Sequence, residues 1–227
     1  MRYDEAKKAF IKDLESFAYK HRGYDVFGDF VEMAAISLYQ PFRQSEKLEK
    51  RYLDIVGKYT KEESKIFGKL LRYVVEGLTD KFGDFLGECY MDKEFGNKHQ
   101  GQFFTPYTIS KFMAALSVGS IDTMENKRIS EPAAGSGGMI IAIADHLQEN
   151  GINYQKMMDV QAIDVSPLSF YMCYIQLSLL HIPAECIWGN TLKMDIFDTW
   201  YTPAYLLKKY DLETLKTTKV EELGKAS

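Results

Sequence analysis

The chain has 227 residues, 46% hydrophobic and 14% aromatic, which suffices for one large domain or for one domain with a helical extension. Its formal net charge of −4 and pI near 5.7 weigh against strong autonomous binding to DNA, because a protein that neutralises several phosphates carries a basic surface. Three widely spaced cysteines and four scattered histidines form no C-x-x-C pair or Cys/His cluster, which points away from zinc and toward reduced thiols in the cytoplasm.

From Asp4 to Tyr19 apolar residues recur at helical spacing (Ala6, Phe10, Leu14, Phe17, Ala18). Charges alternate with them from Met1 to Lys20, so no apolar run of the signal-peptide kind is expected. Asp25 to Tyr39 repeats the helical pattern and Pro41 stops it. Glu46 to Val56 and Glu62 to Leu78 read as further helices, and Asp84 to Met91 as a shorter apolar-faced piece. This half predicts an amphipathic helical bundle over residues 1–98, with an α/β domain over 99–227.

The second half alternates. Thr108 to Leu116 reads as helix, Arg128 to Ser130 as the start of a strand, and Met139 to Glu149 as a crossover helix. Met158 to Ile163 is a second strand, Pro167 to Leu180 a helix, and Glu185 to Trp188 a short third strand. Alternating strands and helices with right-handed crossovers predict a parallel sheet. Leu168 to Ile182 is the longest apolar stretch. It is too short to cross a membrane and carries Ser169, Gln176, Ser178 and His181, so it reads as a buried helix. Two groups of lysines are candidates for a local basic patch: Lys93, Lys98 and Lys111, and the later Lys208, Lys209, Lys216 and Lys219. Asp211 and Glu213 interrupt the later group, which reads as a solvated helix face.

The chemistry concentrates in Glu131-Pro132-Ala133-Ala134-Gly135-Ser136-Gly137-Gly138. Glycine has no Cβ and tolerates positive φ, so main-chain N–H groups there can close on a small polar ligand. A helix follows directly, and a loop running into a helix N-terminus belongs to nucleotide-like cofactor sites. The other reading is a strand-to-helix turn with no ligand. The dinucleotide fingerprint G-x-G-x-x-G fails at Ile140, which disfavours a pyrophosphate. Glu131 argues the same way, because a carboxylate repels phosphate and attracts an ammonium or hydroxyl. Val160 to Val165 is an apolar run containing Asp164, and an acid at the carboxyl end of a second strand can meet the hydroxyls of a ribose. Taken alone, Asp164 is equally an ordinary strand-end aspartate.

With Gly101-Gln102-Phe103-Phe104-Thr105-Pro106 upstream, these segments resemble the adenine-N6 branch of S-adenosylmethionine-dependent DNA methyltransferases. The likeness is to modification subunits of type I restriction systems and phage-type N-6 DNA methylases, over roughly residues 80–205. It implies an α/β fold with a Rossmann-like methyltransferase sheet behind a helical bundle. The sheet is expected to be incomplete, since the family has further strands and fewer than forty residues follow the third. It also implies roles. Gln102, Phe103 and Thr105 belong to the segment beside the cofactor's methionine end, with Thr105 holding its carboxylate. Glu131 faces the methionine ammonium, in a loop with Pro132, Ala133 and Ser136. Gly135 and Gly137 permit backbone contact, Asp164 accepts from the ribose, and Val165 packs on the adenine. Asn190, followed by Thr191, reads the exocyclic amine.

One family feature is missing. The family's N/D-P-P-F/Y segment holds the target amine and stacks on the flipped base, yet this chain has no Pro-Pro pair. At the corresponding place stand Thr202, Pro203 and Tyr205, with Thr202 in the position of the Asn or Asp and Tyr205 as the stacking ring. The other reading of this segment is a turn tethering the last helix. The resemblance implies an S-adenosylmethionine-binding protein of DNA modification, of restriction-modification or phage type. DNA specificity would come from a partner chain in a homo- or hetero-oligomer, with no membrane and no metal. The alternatives are a catalytically inactive cofactor-binding regulatory or assembly subunit, and a structural relic that binds neither ligand.

Overall fold

The structure is a computed structural model and describes residues 1–93, 103–118 and 128–210. Five helices come first: α1 (Tyr3–Glu15), α2 (Gly23–Tyr39), α3 (Glu46–Val56), α4 (Lys61–Asp80) and α5 (Phe85–Asp92). Their starts follow from local chemistry. Ser45 accepts the Leu48 N–H at the head of α3, Thr60 and Glu63 form a reciprocal capping box at α4, and Asp84 accepts the Gly87 N–H at α5. The apolar stripes converge on aromatic rings, with Phe10 meeting Phe27, Phe30 and Phe85 edge-on at centroid distances of 6.2, 5.3 and 5.7 Å. Gly77 leaves the space that the Phe85 ring fills, since a Cβ there would lie 2.5 Å from it.

Helix α6 (Tyr107–Val118) precedes strand β1 (Arg128–Glu131), and α7 (Gly138–Glu149) and the single turn α8 (Tyr154–Met157) follow it. Then come β2 (Asp159–Asp164), α9 (Pro167–Leu179), β3 (Ala184–Asn190) and β4 (Asp195–Tyr201), with residues 203–210 forming α10. The sheet order is β1-β2-β3-β4; the first three strands are parallel and β4 runs antiparallel to β3. The parallel arrangement predicted from strand–helix alternation therefore holds for three strands.

The fourth strand was not predicted, and its direction has a simple cause. Only residues 191–194 separate β3 from β4, whereas a parallel connection needs a crossover of about a dozen residues. Asn190 builds the reversal by accepting the Lys193 N–H at 3.1 Å, with Met194 in the left-handed region at φ 59°. Gly189 permits it, because a Cβ there would lie 2.6 Å from the Asp195 carbonyl.

The boundary expected at residues 98–99 lies outside the described residues, but the buried side chains before and after it form one continuous cluster. Helix α9 packs against β2 and β3 and also against α2. Tyr39 of α2 stacks on Trp200 of β4, centroids 4.2 Å apart.

Candidate cofactor-binding site

Glu131, Asp164 and Asn190 are the last residues of β1, β2 and β3. Because these strands are parallel, all three fall on the carboxyl edge of the sheet, where ligands bind in open α/β folds. Three residues far apart in sequence are thus brought together by the topology alone.

The glycine loop rises from β1 at this edge. The Ala134 N–H donates to the Ile163 carbonyl at 2.8 Å, and the Gly135 N–H donates to Asp164 Oδ2 at 2.8 Å. The other Asp164 oxygen accepts the Ser166 N–H at 2.8 Å. Asp164 therefore joins the loop after β1 to the turn after β2. Gly135 lies at φ 56° and faces the ring of Phe104, which a Cβ would approach to 3.0 Å. Gly137, at φ 95°, packs toward Cys173 of α9, where a Cβ would lie 3.2 Å from the sulfur.

A cleft of about 400 Å3 opens here, within the usual size range for small-molecule sites. Of the predicted residues, Phe103, Thr105, Glu131, Ala133, Gly135, Ser136 and Asp164 line it. Pro132, Val165, Asn190 and Thr191 sit around it, with Thr191 donating to the Pro132 carbonyl at 2.8 Å and the Trp188 indole N–H to the Val165 carbonyl at 3.1 Å. Gln102 lies outside the described residues. Phe103 is exposed, Thr105 has no assigned side-chain bond, and Glu131 accepts the Ala133 N–H at 3.2 Å.

The lining carries the carboxylates Asp84, Glu131 and Asp164 and, among the described residues, no Lys, Arg or His. That field disfavours a polyphosphate and favours a ligand with positive charge. Sequence reasoning missed Asp84, which reads in the chain as a plain helix cap. It also missed Ser110, Met113 and Ser169, which reach the cleft only through packing.

The structure does not bring Thr202, Pro203 and Tyr205 to this cleft. Thr202 is fully buried beside Ala184, the first residue of β3, at the opposite end of the sheet. Its hydroxyl donates to the Ile182 carbonyl at 2.8 Å and accepts the Ala184 N–H at 2.9 Å and the Tyr205 N–H at 3.4 Å. The antiparallel course of β4 carries this segment away from the cofactor edge, and the threonine acts as a cap and tether for α10. Thr202→Val is therefore expected to cost about 2 kcal/mol by leaving buried backbone groups unpaired, while ligand affinity at the cleft stays unchanged. Denaturant unfolding and calorimetry measure the two effects separately.

Among the described residues, no group of three or more His, Cys, Asp and Glu is placed to hold a metal, and no helix is long and apolar enough to cross a membrane. The three cysteines are buried and free.

The fold is an open α/β sheet with an anionic cleft at the carboxyl edge of its parallel strands. The comparison with protein families narrows this further. The model of the N-6 DNA Methylase family matches residues 79–212, more than half of the sequence, and the chain belongs to that family. The family's cofactor is S-adenosylmethionine, and the sheet is an incomplete form of its Rossmann-like fold.

The chain is 25% identical over 142 residues to the methylase subunit of the type I restriction enzyme EcoEI from Escherichia coli. The match covers 55% of this chain and 28% of that one, so the chain spans under a third of this curated relative's length. Two solved structures are similar in outline, each with a TM-score of 0.45. The methyltransferase subunit of a type I restriction-modification system from Streptococcus thermophilus is 12% identical, with 81% of this chain and 57% of that one covered. A Listeria monocytogenes protein assigned as a class I S-adenosylmethionine-dependent methyltransferase is 15% identical, with 80% and 52% covered.

Proposed function

We propose that this chain binds S-adenosylmethionine at the carboxyl edge of β1 and β2 and serves adenine-N6 methylation of DNA, with a partner chain completing the site for the target base. The observation that carries this reading is the convergence of Glu131, the Gly135 loop and Asp164 on one cleft whose lining is anionic. When bound, S-adenosylmethionine supplies an electrophilic methyl group on a sulfonium sulfur. In this reading Glu131 faces its ammonium, and the remaining lone pairs of Asp164 accept from its ribose hydroxyls. Thr105 and the loop N–H groups complement its carboxylate, and Val165 with Asn190 borders its adenine.

Transfer to DNA would require the N6 amine of an extruded adenine to be held within reach of that methyl group. The acceptor that would orient that amine comes, in this reading, from outside the described residues. The partner is supported by three facts: the distant placement of Thr202, the net charge of −4, and the similarity to a protein that is itself a subunit. The same facts favour a second reading, a cofactor-binding regulatory or assembly subunit without chemistry of its own.

Calorimetric titration of the purified chain with S-adenosylmethionine is expected to show micromolar binding, and absence of heat together with no competition by S-adenosylhomocysteine would sink the proposal. Transfer of labelled methyl to DNA then separates the two readings. Label in DNA only when the partner is added supports the first, and no label under either condition supports the second.

A further inference from the structure

At the inner wall of the cleft a buried, densely bonded polar cluster surrounds Asp84. It is 2% exposed, yet it is a carboxylate. Its Oδ2 accepts the Ser136 hydroxyl at 2.5 Å, while Oδ1 accepts the Gln176 amide at 2.9 Å and the Gly87 N–H at 3.1 Å. Gln176 donates its second N–H to the Ser136 carbonyl at 2.8 Å and accepts the Leu86 N–H at 3.0 Å. Three parts of the chain meet here: the head of α5, the glycine loop, and the middle of α9.

The cluster has no slack. A Cβ on Gly87 would lie 2.1 Å from Asp84 Oδ2 and 2.5 Å from the Ser136 hydroxyl, and one on Gly138 would lie 3.0 Å from Asp84 Oδ2. A second contact from α5 reaches the same loop from the other side. Tyr90 packs edge-on against Phe104 at 5.3 Å, and Phe104 covers Gly135.

We propose that Asp84 is a positioning residue for cofactor binding. Its carboxylate clasps Ser136 and holds the glycine loop in its ligand-accepting shape, so affinity for S-adenosylmethionine depends on how α5 is seated. The inference rests on the cofactor reading above.

The chemistry explains why a carboxylate stands at this point. A buried polar cluster costs desolvation free energy that apolar packing does not, but it fixes one geometry through directed bonds. Burial pushes the Asp84 carboxyl above the usual carboxylate range, and the bonds from Gln176, Ser136 and Gly87 oppose that rise. Ser136, itself 1% exposed, commits its hydroxyl to Asp84 and so shapes the loop from inside. The helical region thereby becomes a part of the cofactor site.

The test is calorimetry with S-adenosylmethionine on the full chain and on Asp84→Ala, Ser136→Ala, the double variant and Asp84→Asn. Either alanine is expected to raise Kd about tenfold, and the double variant no more than the worse single one, because both break the same clasp. Asp84→Asn keeps an acceptor for Gly87 and Gln176 and offers an N–H to the Ser136 oxygen, so it is expected to stay within about threefold of the unaltered chain. Hydrogen exchange is expected to quicken at residues 133–138 and at the head of α5 only.

Unchanged affinity in the alanine variants, additive losses, or an asparagine variant as weak as the alanine one would each overturn the inference. Should Asp84→Ala not fold, Ser136→Ala and Asp84→Asn carry the same test. Absence of binding by the unaltered chain overturns the cofactor reading and this inference with it, whereas normal binding in the variants overturns this inference alone.

Discussion

Asp164→Ala is expected to weaken S-adenosylmethionine binding by about a hundredfold or more, the largest effect of any single change at the cleft. Two losses combine. On the proposed reading the side chain no longer accepts from the ribose, where hydrogen bonds to a charged group contribute about 1.5–3 kcal/mol each. It also no longer accepts the Gly135 and Ser166 N–H groups, each at 2.8 Å, so the glycine loop keeps only the Ala134–Ile163 bond of the two described that tie it to the strand beside it. A loss of about 2.7 kcal/mol already corresponds to a hundredfold in Kd. Asp164→Asn separates the contributions, because it retains one oxygen for a backbone N–H and removes the charge. An intermediate affinity is expected, measured by the same titration. Full affinity in the alanine variant would remove Asp164 from the binding site.

Trp200→Ala is expected to destabilise the fold by about 3–5 kcal/mol, a large share of the ~5–15 kcal/mol that holds a typical domain together. Trp200 is 1% exposed and joins the two halves of the molecule. It stacks on Tyr39 of α2 at 4.2 Å, meets Phe170 and Tyr174 of α9 at 5.2 and 5.1 Å, and donates its indole N–H to Asp198 at 3.0 Å. Alanine leaves a cavity among rings held by two separate helices, so little collapse can fill it. Urea unfolding followed by two probes measures the loss. Trp200→Phe, which keeps most of the ring surface, is expected to recover more than half of it. An alanine cost below about 1 kcal/mol would mean that α2 and β4 do not support each other.

The acids that line the cleft were legible because their chemistry is written locally. Glu131 opens a glycine-rich turn and Asp164 ends an apolar run, and parallel pairing then places both at one edge. Asp84 was not legible, since a helix-capping aspartate looks the same in sequence whether its carboxylate faces water or a buried serine from a residue 52 positions away. The family likeness at Thr202 left two readings open, and the structure fits the turn that tethers the last helix. The likeness aligned the segment along the chain, but the turn at 191–194 reverses β4 and carries Thr202 to the far end of the sheet.

By itself the sequence determined the helical first half, three parallel strands with their crossover helices, the glycine loop and the family. All of these rest on interactions within a few residues: apolar periodicity, capping side chains, and the backbone freedom of glycine. Only the tertiary structure decided that the helices and the sheet share one core, that β4 turns back, that Gly137 packs on α9, and that Asp84 bonds Ser136 of the glycine loop. Those outcomes depend on which distant surfaces meet. Burial of apolar faces and pairing of buried polar groups select among such encounters only once the whole chain has closed.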